Sequence, residues 1–173
     1  NLSLYKQVTA DLSDAQQGYV SADEYATASV GGWIRYKLTL YNGGTALSGQ
    51  VRIVDKMPAI DDVDIGSTAQ RGSKWPVTLD SISGIEYKYL VTDESNPNAE
   101  KKYATRTLDS SEYTIYTTTQ DEANGNYSSA VRSQNIDTGV WQPGIVSGAK
   151  AFLIVFDEKT VQLKEGESLT LLV

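Results

Sequence analysis

The sequence predicts an all-β fold of two antiparallel sheets stacked as a sandwich with long loops. Three observations carry this expectation. Several segments alternate apolar and polar residues with period two, clusters of turn residues separate them, and no segment sustains an apolar repeat of about 3.6 residues. Composition agrees, since 14 Gly and 11 Tyr against 1 Met and 2 Phe lean toward strands. A length of 173 residues suits one domain, or at most two small ones, with a single core as the expectation.

The first strand is expected at Leu2 to Val8, with Leu2, Leu4, Lys6 and Val8 on one face and Ser3, Tyr5 and Gln7 on the other. The clearest alternation runs from Trp33 to Tyr41, placing Ile34, Tyr36, Leu38 and Leu40 inward and Arg35, Lys37 and Thr39 outward. Asn42-Gly43-Gly44 then supplies turn residues. Gln50 to Met57 resumes the pattern with Val51, Ile53, Asp55 and Met57 on one face, and Pro58 ends it for want of an N–H. Ala59 to Pro76 is polar and acidic and reads as a long surface loop. Weaker strands are expected at Val77 to Leu79, Ile85 to Val91 and Tyr113 to Thr119, with a second long loop over Thr92 to Lys102. Ala149 to Phe156 and Ser168 to Val173 close the set, and Asp121 to Arg132 is the one modest helical candidate. In this reading Ile34, Tyr36, Leu38, Leu40, Val51, Ile53, Leu153 and Val155 share a single core.

Composition also excludes chemistry. The chain has no His and no Cys, so it has no Ser-His-Asp or Cys-His triad, no thiolate, no disulfide and no zinc site of the usual ligands. A net charge of −7 without a basic cluster argues against nucleic acid as a partner. The longest apolar run, Ala151 to Phe156, is far short of the roughly 20 residues that span a bilayer, so no membrane insertion is expected within the chain. An external substrate is not expected either, and the chain does not read as an enzyme.

Two residues break the alternation. Lys6 and Asp55 each occupy the apolar face of a strand, although Lys and Asp are seldom buried unless paired. A buried ion pair, or a lysine reaching solvent near a strand end, accounts for them structurally.

A resemblance extends this. The Lys6 strand, then Trp33-Ile34-Arg35-Tyr36-Lys37-Leu38-Thr39-Leu40-Tyr41-Asn42-Gly43-Gly44, then Val51-Arg52-Ile53-Val54-Asp55-Lys56-Met57-Pro58 resemble the pattern of Gram-positive cell-wall adhesin and pilin domains. Arg71 to Trp75 and Leu163 to Leu171 are similar to further stretches of these repeats. The likeness is to immunoglobulin-like fimbrial isopeptide-forming domains of the collagen-adhesin A type. It implies an immunoglobulin-like sandwich in which Lys6 attacks a side-chain amide, Asp55 shuttles the proton, and a covalent crosslink remains. The family's asparagine lies on a strand after the segment matching Leu163 to Ser168, and here Val173 directly follows that strand. Asn135 and Asp157 do not match the motif, so the bond is absent, uses Asp157 as acceptor, or needs residues outside this chain. The implied function is a stalk or adhesin module of an extracellular, cell-wall-anchored protein or pilus, with neighbouring domains of the same protein as partners. The alternative is a module that binds a host protein or glycan through its loops.

Asp61, Asp62 and Asp64 read first as a solvated acidic loop and second as a candidate calcium site, because calcium takes oxygen ligands from flexible loops, although no EF-hand spacing is present. No cofactor other than calcium is expected. Trp33, Trp75 and Trp141 are candidates for stacking on sugars, and Asn126-Tyr127-Ser128 matches a glycosylation sequon.

Overall fold

The computed structural model describes residues 1–13, 18–21, 24–62, 69–92, 95–96, 98–120 and 136–173. The fold is all-β, with two antiparallel sheets of six and four strands. In chain order the strands are β1 (Leu2–Ala10), β2 (Val20–Ser21), β3 (Ile34–Asn42), β4 (Arg52–Lys56), β5 (Glu86–Leu90), β6 (Tyr103–Thr107), β7 (Tyr113–Thr118), β8 (Gln142–Pro143), β9 (Ala151–Phe156) and β10 (Ser168–Leu172). The helix among the described residues is one 3-10 turn, Ile136–Thr138. The expected helix at Asp121 to Arg132, the sequon and Asn135 lie outside the described residues.

The chain forms two compact units. The first comprises Asn1–Gly49, Ile82–Asp109 and Val161–Val173, and holds the six-stranded sheet in the order β2-β1-β3-β10-β5-β6. Its register aligns apolar residues in rows across the strands. Leu40 lies opposite Leu169, which in turn lies opposite Tyr87, and Leu38 lies opposite Leu171. All five are buried, as the alternation in β3 and β10 predicts.

The second unit comprises Gln50–Ser81 and Ser110–Thr160, with the order β4-β9-β7-β8. Here the expectation of a single shared core needs correction. Ile53 lies opposite Ile154, while Val54 lies opposite Leu153. Opposed residues share a face, so Leu153 and Val155 point away from Ile53. They join Trp141 and Ala151 in a separate cluster against which Val54, Tyr116, Ile136 and Val140 pack. The continuous run Ala151 to Phe156 is apolar because β9 is covered on both faces.

Val77 to Leu79 does not form a strand. It makes isolated backbone bonds, Val77 N–H to Pro58 O at 2.8 Å and Leu79 N–H to Ala149 O at 3.1 Å. The loop Ala59 to Pro76 is not wholly at the surface either, since Ala59 and Asp62 are buried.

Before β10, the chain turns at Gly166 with φ +81°, and a Cβ there would run into the Tyr103 hydroxyl. Gly166→Ala combines left-handed strain with that clash, and is expected to lower stability by about 1–3 kcal/mol in urea unfolding.

Candidate functional site

Lys6 sits in a ladder of nine consecutive pairs, from Leu2 opposite Asn42 to Ala10 opposite Ile34. It lies opposite Leu38 and so extends the Leu38–Leu171 row. The side chain is half-buried, and its ammonium lies 4.2 Å from the centroid of the Tyr36 ring. Tyr36 is opposite Val8, on the same face, and the ring quadrupole attracts the cation.

In the second unit, Asp55 lies opposite the fully buried Phe152 and shares a face with Ile53. It too is half-buried, and its Oδ1 accepts a 2.9 Å hydrogen bond from the Lys56 amide. Lys6 belongs to the first unit and Asp55 to the second, so each is positioned by its own sheet.

Alternation assigns Lys56 to the outward face of its strand, yet it is only 3% exposed. It lies opposite Ala151, on the face that carries Val54 and the Trp141 cluster. The second cluster lies on this face, and Lys56 is the buried lysine of this strand.

Asp157 is exposed at the end of β9. Its Oδ1 accepts from the Lys159 amide at 3.0 Å and its carbonyl accepts from the Thr160 amide at 3.1 Å, so the residue organises its own turn.

The acidic loop is built around one ion pair. Asp62 is 1% exposed, and its Oδ2 accepts from Arg71 Nη1 at 3.1 Å and from the Ala59 amide at 3.2 Å. Backbone bonds from Arg71 N–H to Asp62 O and from Asp61 N–H to Ser73 O hold the two sides of the loop together. Asp61 is exposed, with φ 57°, and Asp64 lies outside the described residues. Asp62 Oδ1 is buried with no hydrogen-bond partner, but the neighbouring cation is a guanidinium. Among the described residues no three Asp or Glu side chains gather as metal ligands.

Two buried polar residues of the first unit were not singled out by the sequence. Glu167 accepts from Tyr87 Oη at 2.7 Å, from the Leu90 amide at 2.7 Å and from the Lys164 amide at 2.8 Å. Asn42 donates to the carbonyls of Ala46 and Leu163 and accepts from the Gly44 amide. Both are fully engaged, which identifies them as structural. The visible signals were the Asn-Gly-Gly turn and a glutamate heading an apolar strand.

Asp11 accepts hydrogen bonds from the hydroxyl and amide of Ser29, and these hold its carboxyl below the ordinary aspartate value of 3.8. Trp141 is buried, whereas Trp33 in the first unit and Trp75 in the second are exposed.

No family model matches the chain, and no curated protein or solved structure matches it.

Arg71→Ala strips the countercharge from a buried carboxylate and should destabilise the protein by about 3–5 kcal/mol in denaturant titration. Adding Asp62→Asn to that variant should recover part of the loss. At Asp11, a lowered folded pKa means the contribution is present above the ordinary carboxylate range and disappears as pH falls through the folded value. The Ser29 amide resonance should accordingly titrate with a midpoint below 3.8.

Proposed function

We propose that the chain is a load-bearing stalk or adhesin module of a bacterial surface protein or pilus, with an immunoglobulin-like fold and an internal isopeptide crosslink. The observation that supports this best is Lys6 itself, half-buried on the face of β1 that continues the Leu38–Leu171 row. An amine held there has a restricted set of positions and reduced access to water, both of which favour attack on a nearby acyl group. Asp55, beside Phe152, is the proposed proton shuttle.

In the crosslinking step the Lys6 nitrogen bonds to the acyl carbon of the acceptor. Ammonia leaves if the acceptor is an asparagine, and water leaves if it is an aspartate. Asp157 is engaged in its own turn, which favours an asparagine acceptor over Asp157.

Exposed aromatic residues support a second reading, in which the loops bind a host protein or glycan. Trp75 is 70% exposed and Tyr25 89% exposed, more than either would be if packing were its role.

Intact mass spectrometry tests the crosslink. A mass about 17 Da below that of the linear chain indicates loss of ammonia, and about 18 Da below indicates loss of water. Lys6→Ala should abolish the deficit and lower the melting temperature sharply. An unmodified mass for the protein as it exists in its full-length context removes the crosslink from the proposal.

A further inference from the structure

The parity of the β1–β3 ladder leaves one edge of the six-stranded sheet open. Gly43 N–H donates to Asn1 O and Asp11 N–H donates to Trp33 O, so the odd-numbered residues of β1 exchange backbone bonds with β3. The N–H and C=O groups of Leu2 and Leu4 therefore point to the opposite edge. There β2 pairs only with Gln7 and Val8, and among the described residues no strand lies beside Leu2 to Tyr5. The Leu2 and Leu4 side chains are each 46% exposed, although Asn42 opposite Leu2 and Leu40 opposite Leu4 are buried.

Exposed edges usually carry charge, proline or a bulge that blocks further pairing. The edge at β6 is flanked by Lys101 and Lys102 and contains Arg106. Leu2-Ser3-Leu4-Tyr5 contains no charge, proline or bulge, and the one charge of β1 is Lys6, at the inner end of this stretch. Charge indicates what fits beside it. β1 and β3 together contain Lys6, Arg35 and Lys37 and no acidic residue, in a chain whose net charge is −7. Lys6 is the cation next to the open stretch, since Arg35 and Lys37 lie opposite Thr9 and Gln7 toward the end that β2 covers. Parallel pairing of β1 with β1 of a second copy would set Lys6 beside Lys6, whereas an acidic strand would be attracted.

We infer that the Leu2–Tyr5 edge of β1 accepts an added strand from a partner: an extended segment that alternates apolar residues, which cover Leu2 and Leu4, with acidic ones. Backbone bonds to Leu2 and Leu4 supply the affinity, and the alternating side chains supply the register. This inference does not depend on the crosslink.

The probe is a peptide of about seven residues that alternates valine with aspartate and threonine. Titrated to millimolar concentration against the isotope-labelled protein, it should shift the amide resonances of Leu2 and Leu4 and weaken with added salt. Leu4→Lys blocks the edge but adds positive charge, so it should weaken strand addition at least tenfold, whereas a merely electrostatic association would strengthen. Leu4→Pro removes the outward N–H together with the leucine side chain and should also weaken binding, with the resonances of Leu38 and Leu171 unchanged as the check on folding. No shift at millimolar peptide, or equal binding of a peptide with lysine in place of aspartate, overturns the inference. A concentration-dependent dimer that forms without peptide and is dispersed by Leu4→Lys also overturns it, in favour of a second copy.

Discussion

The first unit depends on the carboxylate of Glu167. A buried carboxylate is costly unless its oxygens are engaged, and here three donors from three places converge on it. Lys164 belongs to the turn that starts β10, Leu90 ends β5, and Tyr87 reaches across from the middle of β5. One side chain thus joins the turn before β10 to the strand beside it. It also sets where β10 begins, because the turn at Gly166 closes with a bond from its amide to Asn42 O at the end of β3. Asn42 adds a second tie by donating to Leu163 O at 2.8 Å.

The order of the sheet carries this constraint outward. β10 lies between β3 and β5, and β3 is the long partner of β1. Lys6 is therefore positioned by a strand whose own register is fixed by β10. Burial follows the same path, complete at Leu38, Leu40, Leu169 and Leu171 and lost at Leu2 and Leu4. The second unit is organised differently, around β9, which is flanked by β4 and β7 and buried on both faces.

Much of this was legible in the sequence wherever an apolar stripe faced one side only. β1, β3 and β4 were found through period-two alternation, β5, β7 and β10 as weaker segments set off by turn-rich stretches, and Asn42-Gly43-Gly44 marked the turn after β3. β6 was missed because its inward residues are Ala104 and Arg106. Arg106 is accommodated by stacking 5.5 Å from the Tyr87 ring, a contact that no hydropathy pattern contains. β2 and β8 have two residues each, too few to show a period. Lys56 was not singled out, because the Trp141 cluster that covers its face is formed by residues distant in sequence. The Asp62–Arg71 pair was hidden for a related reason. A run of aspartates reads as a solvated or metal-binding loop, and the arginine that neutralises one of them comes nine residues later.

Hydrogen exchange on Glu167→Gln tests most directly whether this carboxylate organises the first unit. A glutamine keeps the shape but has one acceptor oxygen, so it cannot serve the Leu90 amide on one side and both Tyr87 and Lys164 on the other. The account predicts that amides of β5 and β10 lose protection by about tenfold or more while Phe152 to Phe156 in β9 change less. Unchanged protection in β10, or an equal loss in β9 and β10, would contradict it.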